Sequence, residues 1–339
     1  MNQNNFWPSR LHPLSGEVEH PSTKDPSTMT RKYAITGGAG FIGSNLVEAL
    51  AEENEVVVVD DLSAGRKENL AGQNVEFVEG SILDLDLLKE AFEGCDCVFH
   101  LAAIASVQRS VEDPIFTSRV GVEGTLNVLV AARDAGAEKV VFASSAAVYG
   151  DSPALPKRED MRPEPKSPYA AAKLAGEGFC LAFNEVYGMK NVALRYFNVY
   201  GPRQDPNSEY AAVIPKFVSA YLAGDAPVIF GDGEQTRDFV YVKDVVRANI
   251  LASKGCVPGV YNIASGTRTS LNELSGLVKK ITRSELEPIY SEARAGDIRD
   301  SVADVKRAMK IGYSPKFTLE EGLRGMIEYS STKIKPVVV

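Results

Sequence analysis

Cysteine is scarce in this chain, with four residues, at positions 95, 97, 180 and 256. Cys95 and Cys97 lack the partner spacing of a zinc site, so no metal is expected. The set fits a reduced, cytoplasmic protein better than a disulfide scaffold. Long apolar runs are missing too: none approaches the roughly 20 residues of a membrane span, so no membrane partner is expected. Positive charge is in deficit, 37 Lys and Arg against 45 Asp and Glu for a formal net charge of −8. That balance argues against non-specific nucleic-acid binding, yet leaves room for an anionic ligand held by local arginines. Residues 1–28 have neither the apolar core of a signal peptide nor the basic pattern of a transit peptide. They are polar and proline-bearing, and read as an unstructured leader or extension before Met29. What remains is ordinary for a globular enzyme, 44% hydrophobic and 24% charged over 339 residues, enough for two lobes.

The chain is most informative at Thr36-Gly37-Gly38-Ala39-Gly40-Phe41-Ile42-Gly43. An apolar run at 32–35 precedes it, and apolar residues at helical spacing follow from Ser44. Gly37, Gly40 and Gly43 let the backbone turn sharply, approach a phosphate and pack the helix close to the strand. The next strand, Glu55-Val56-Val57-Val58-Val59, ends in Asp60, about 20 residues beyond the first glycine. A carboxylate there accepts hydrogen bonds from an adenosine ribose and repels a 2′-phosphate, so the expected cofactor is NAD rather than NADP.

Strand and helix then alternate. Strands are expected at 74–79, 97–101, 140–143 and 192–195, with helices at 85–92, 115–135 and 168–187. This predicts an α/β fold, a Rossmann-type doubly wound parallel sheet, with ligands at the carboxyl ends of its strands. Beyond Asn198 the pattern loosens around Pro202, Pro206, Pro215 and Pro227. The expected division is a nucleotide-binding domain over 29–197 and a smaller substrate lobe over 198–335, lending some segments back to the main sheet.

Three positions carry candidate chemistry. Ser145 ends the fifth strand, and Tyr169 and Lys173 follow on a helix opened by Ser167 as N-cap and Pro168 at its first position. The i, i+4 spacing puts tyrosine and lysine on one face. A phenol with an ordinary pKa near 10 needs help to act as a base; a neighbouring ammonium and the positive nicotinamide ring both favour the phenolate. The spacing alone is weak, since Tyr329 and Lys333 repeat it. Its weight comes from standing one strand–helix step after Ser145.

Together with His100-Leu101-Ala102-Ala103 and Arg195-Tyr196-Phe197-Asn198, these motifs closely resemble the extended short-chain dehydrogenase/reductase family, from Arg31 to about Leu323. Within it the chain is similar to nucleotide-sugar 4-epimerases. The likeness is closest to those acting on UDP-N-acetylhexosamines, through Arg203-Gln204-Asp205-Pro206-Asn207 and Tyr210-Ala211-Ala212-Val213-Ile214-Pro215-Lys216. The resemblance implies NAD held by Gly37, Gly40, Phe41, Ile42, Gly43, Asp60, Ser81, Ile82, Leu101, Ala102, Ala103, Tyr169 and Lys173. It implies catalysis by Ser145, Tyr169 and Lys173. A UDP-sugar would be met by Ser145, Asn198, Val213, Val228, Phe230, Arg237, Arg294, Asp297 and Ser301. The related 4,6-dehydratases and decarboxylases keep acidic residues after the catalytic hydroxyl, where this chain has Ala146 and Ala147. That leaves oxidation and reduction at C4, hence reversible epimerisation of UDP-glucose or UDP-N-acetylglucosamine. A uronic acid 4-epimerase, a keto-sugar reductase and a non-catalytic binding protein remain alternatives. Ser301, where glucose-restricted epimerases carry a bulky residue, implies room for an acetamido group. Two departures stand out: Ser81 replaces a common aspartate, and Val120 or Gly121 occupies a segment that usually holds an asparagine. The resemblance also implies a homodimer through the helices at 115–135 and 168–187.

Overall fold

Four consecutive valines in Glu55-Val56-Val57-Val58-Val59 are all buried. A strand sends successive side chains to opposite faces, so burial of both sets requires cover on both sides of the sheet. The computed structural model, which describes residues 30–206, 212–255, 257–293 and 299–334, shows that cover. Strands β1 (Lys32–Thr36), β2 (Glu55–Asp60), β3 (Glu76–Glu79), β4 (Cys97–His100), β5 (Lys139–Ser145) and β6 (Val192–Tyr196) alternate with helices. These are α1 (Phe41–Leu50), α2 (Leu85–Ala91), α3 (Val107–Glu112), α4 (Pro114–Ser118), α5 (Thr125–Asp134) and α6 (Pro168–Tyr187). Beyond them lie β7 (Asn198–Tyr200), α7 (Val213–Ala223), β8 (Val228–Phe230), β9 (Thr236–Arg237), β10 (Phe239–Tyr241) and α8 (Val242–Ser253). The chain continues through β11 (Gly259–Ile263), β12 (Thr269–Ser270), α9 (Leu271–Thr282), β13 (Ile289–Ser291), α10 (Lys306–Met309) and α11 (Leu319–Ile334).

Seven of these strands form one sheet in the order β11-β6-β5-β4-β1-β2-β3, and every neighbouring pair is parallel. The edge strand β11 comes from beyond Asn198, placed by its register against β6. One face carries α1 and α8, with Leu46, Val47, Val245 and Ala252 packed on Ile35, Val56 and Val58. The other carries α2, α5 and α6, with Leu88, Leu129 and Phe183 on the same side as Val57, Val59 and Val98. A third core joins α7, α9 and α11 around Phe217, Ile229, Leu274 and Leu323. Strand order reverses between β1 and β4, which opens a crevice at their carboxyl ends.

Two local features differ from the simple sequence expectation. The helix expected over 115–135 begins at Pro114, with the Asp113 side chain accepting from Phe116 N at 3.0 Å. It then passes through a π turn at Arg119–Gly124 before continuing as α5. Strand β5 extends past residue 143 to Ser145, so both serines belong to the strand. Helix α6 spans the expected residues. Ser167 Oγ accepts from Ala170 N at 3.1 Å, and Gly188, at φ +70°, closes the far end.

Candidate active site

The glycine loop joins β1 to α1 at the crevice. Gly37 lies at φ +72°, and a Cβ there would sit 2.7 Å from Ala102 N. A Cβ on Gly43 would fall 2.1 Å from Gly37 O, so any larger residue would push helix from loop. Helix α1 starts from Gly40 with no side-chain cap and no acidic residue in its first turn. Its N-terminal amides, including those near Phe41 and Ile42, therefore present partial positive charge to an anion. Leu101, Ala102 and Ala103 follow β4 on the opposite wall, partly exposed.

Asp60 is buried at the end of β2. Its Oδ2 accepts from Ala39 N and its Oδ1 from Leu62 N, each at 2.9 Å. Burial raises its pKa while those two hydrogen bonds oppose the rise. A carboxylate oriented this way retains lone pairs for ribose hydroxyls. Ser81 is half-buried, with Oγ accepting from Leu83 N at 3.3 Å, and Ile82 is buried beside it. The narrow glycine turn, the uncapped helix start and the oriented carboxylate together fit a dinucleotide.

Ser145, Tyr169 and Lys173 converge at the end of β5. Ser145 Oγ accepts from Ala147 N at 3.2 Å, capping the short 3₁₀ turn Ala146–Tyr149. Lys173 Nζ donates to Ala143 O at 2.7 Å and lies 4.9 Å from the Phe142 ring centre and 5.9 Å from that of Tyr169. Burial pushes Lys173 down to about 8. Burial also pushes the Tyr169 phenol up, opposed by a hydrogen bond with Ser145. This differs from the expectation that the neighbouring ammonium lowers the phenol. In the protein alone, one ammonium N–H is directed to the Ala143 carbonyl and desolvation of the phenol dominates.

A buried network holds this strand end. Glu177 on α6 takes Arg195 bidentately, with Nε–Oε1 at 2.8 Å and Nη2–Oε2 at 2.7 Å, and also accepts from Ser144 Oγ. Arg195 lies over the Tyr149 ring at 4.7 Å. In the sequence Arg195 stands out only as part of Arg195-Tyr196-Phe197-Asn198. Its pairing with Glu177 spans two separate elements and carries no local signal.

Across β7 and α7 lies a cleft of about 960 Å³. Asn198, Val213, Val228, Phe230 and Arg237 all line it. Asn198 Nδ2 donates to Asp238 O at 3.3 Å, and Arg237 Nη1 to Thr236 O at 2.9 Å. Lys216, Phe217, Gln235 and Leu271 also line the cleft and were not singled out. The mixed apolar and basic motif residues around Val213 and Arg237 were the available signal. Ser301 does not line this cleft; its amide bonds Thr236 O at 3.1 Å, one residue from Arg237. Arg294 and Asp297 lie outside the described residues. Among the described residues, no group of His, Cys, Asp or Glu is placed to hold a metal ion, and no helix is long and apolar enough to cross a membrane.

Comparison with known proteins adds four likenesses. Residues 33–264 match the family described as the NAD dependent epimerase/dehydratase family. A UDP-glucose 4-epimerase of Mycolicibacterium smegmatis is 44% identical over 309 residues, covering 88% of this chain and 98% of that protein. The UDP-N-acetylglucosamine 4-epimerase of Methanobrevibacter ruminantium, solved with UDP-N-acetylmuramic acid, superposes with a TM-score of 0.88 at 42% identity, covering 90% of this chain and 99% of that one. The Thermus thermophilus UDP-glucose 4-epimerase, solved with NAD, gives 0.81 at 38% identity, over 89% and 100% of the two chains.

Proposed function

The chain belongs to the NAD dependent epimerase/dehydratase family, and on that premise we propose that it is an NAD-dependent UDP-sugar 4-epimerase. The observation that carries this reading is the set of groups at the end of β5. Ser145, Tyr169 and Lys173 stand there together, and the positions after Ser145 are Ala146 and Ala147. That set can exchange one proton with a sugar hydroxyl and has no acid beside Ser145 for elimination or decarboxylation.

NAD, when bound, supplies a hydride acceptor and then a hydride donor at C4 of the sugar. Gly37, Gly40, Phe41, Ile42 and Gly43 hold its pyrophosphate, Asp60 its adenosine ribose and Lys173 its nicotinamide ribose. Ser81, Ile82, Leu101, Ala102 and Ala103 line the remainder. Tyr169, as phenolate, takes the C4 hydroxyl proton, with the Ser145 hydroxyl sharing it, and later returns it. Between those events C4 is a planar ketone. Asn198 and Arg237 keep the diphosphate anchored while the 4-keto sugar turns its other face to Tyr169. A guanidinium can bridge two phosphate oxygens, which suits Arg237 to that task. Val228 and Phe230 pack the uracil end, with Val213 beside them in the cleft lining. Ser301, outside the cleft lining but bonded to Thr236 O one residue from Arg237, is the small side chain assigned here to the C2 substituent.

The partly exposed helices support a homodimer. Val111 on α3, Ile115 on α4, and Leu181 and Val186 on α6 are exposed, Ile115 at 76% and Val186 at 69%, and α3, α4 and α6 pack together. An apolar surface of this kind is stabilised by a partner. Cys95, Cys97 and Cys180 are buried free thiols, which supports work in the reducing cytoplasm.

The deciding experiment incubates purified protein with UDP-glucose and, separately, with UDP-N-acetylglucosamine, without added cofactor, and resolves the products by proton NMR. Formation of the galacto epimer is expected, with the acetylated sugar also accepted. Stoichiometric consumption of added NADH would instead identify a reductase. Absence of conversion with NAD supplied would sink the epimerase reading.

A further inference from the structure

The π turn at Arg119–Gly124 is held by a chain of hydrogen bonds that starts beside the glycine loop. Thr125 Oγ1 donates to Gly121 O at 2.7 Å. Its single proton is thereby used, so its 3.0 Å contact with His100 Nε2 requires that nitrogen to be the donor. His100 Nδ1 is then an acceptor, and Thr36 Oγ1 donates to it at 2.8 Å. The donor and acceptor at each step of the chain are thereby assigned. Burial, with Lys173 nearby, pushes His100 down to about 3, so the ring stays neutral and the arrangement holds across working pH.

The same turn rests on the catalytic helix. A Cβ on Gly121 would lie 2.7 Å from the Cβ of Ala172, closer than two carbon atoms can pack. Ala172 is buried and has no side chain that could swing away, so the displacement would fall on helix backbone. It stands between Tyr169 and Lys173 in sequence, on the turn that carries both. Helix propensity alone would favour alanine over glycine by about 1 kcal/mol in this run, so the glycine needs another explanation.

We propose that Gly121 is a positioning residue: its missing side chain, with the turn pinned by Thr36, His100 and Thr125, sets how deeply the Tyr169–Lys173 turn seats beside Ser145. This rests on the epimerase reading for the reaction involved, though not for the packing itself. In Gly121→Ala, α6 would shift outward and loosen the Tyr169–Ser145 and Lys173–Ala143 contacts, while the cleft around Arg237 stays as it was.

The test uses four full-length proteins with bound NAD: wild type, Gly121→Ala, Ala172→Gly and the double variant. In Gly121→Ala, kcat should fall on the order of tenfold to a hundredfold, with KM for UDP-glucose within about twofold. The tyrosinate absorbance, taken against the matching Tyr169→Phe protein, should titrate at higher pH. Removing the Ala172 methyl should relieve the clash, so the double variant should regain the rate and midpoint of Ala172→Gly alone. Wild-type kcat and midpoint in Gly121→Ala, or a loss that Ala172→Gly does not rescue, would overturn the proposal. Should Gly121→Ala not fold, Thr125→Val is expected to lose rate and Thr125→Ser to keep it. Equal rates for Thr125→Val and wild type would count against the device. The tyrosinate midpoint needs no turnover, so a wild type inactive on UDP-sugars would fail the functional reading and leave the positioning test standing.

Discussion

At the residue scale, Tyr169 and Lys173, two of the three proposed catalytic groups, are each disfavoured in the charged form that the proposed reaction needs. Burial raises Tyr169 and lowers Lys173 to about 8, so the polypeptide alone does not supply a phenolate beside an ammonium. The positive nicotinamide must tip that balance. Removing NAD should therefore move the Tyr169 tyrosinate transition to higher pH, read by difference absorbance against Tyr169→Phe. An unchanged midpoint would mean that the cofactor charge has no part in activating the base. Tyr169→Phe itself should lose about a hundredfold or more in kcat while retaining NAD. Lys173 also writes a signature into stability. Its folded pKa, about 8, lies below the ordinary 10.5. Between those values the unfolded chain holds the extra proton, so stability attributable to this group rises with pH across that window. Denaturant titrations of the NAD-free protein should show that slope, and Lys173→Met should remove it.

At the element scale, α6 is a lever clamped at three points. Its N-terminus is capped by Ser167, its second turn bears on Gly121, and Glu177 ties it to Arg195 on β6 and Ser144 on β5. The Glu177 and Arg195 side chains are each 4% exposed. Glu177→Gln would leave a buried guanidinium without its counter-charge, at a cost of about 3–5 kcal/mol in unfolding free energy. Urea denaturation checks this, and a loss below about 1 kcal/mol, as for an exposed pair, would count against it. The start of α1 is similarly intolerant. Gly43→Ala should separate loop from helix and lower NAD retention, measured as cofactor released on denaturing the purified protein, because its Cβ meets Gly37 O. The periodicity of α6 was legible from 168 to 187 because cap, proline and terminal glycine mark it. The π turn was not, since it is confined to one turn, too short a stretch for its altered spacing to register as a period.

At the scale of the whole molecule, the exposed apolar residues on α3, α4 and α6 are the feature a solitary protomer would carry at a cost. Replacing Ile115 and Val186 together by aspartate should convert a dimer to monomers in sedimentation velocity, with the catalytic groups untouched. Persistence of the dimer would place the contact elsewhere. The sheet also makes a joint demand. Strand β11, from beyond Asn198, pairs with β6, so the later part of the chain and the first six strands share a hydrogen-bonded edge.

Local chemistry determined much of this protein from the sequence by itself. Gly37, Gly40 and Gly43 before a helix, Asp60 at a strand end, and Tyr169 one turn from Lys173 each follow from neighbours a few residues apart. Backbone geometry ties such residues together whatever the rest of the chain does. Only the tertiary structure decided the rest. It set Asn198, Val213, Val228, Phe230 and Arg237 around one cleft and left Ser301 outside its lining. It joined Glu177 to Arg195, ran the Thr36–His100–Thr125 chain between two strands and a helix, and set Gly121 against Ala172. These contacts join residues from separate elements, and their distances depend on how side-chain volumes pack between the sheet and its helices, which no local pattern encodes.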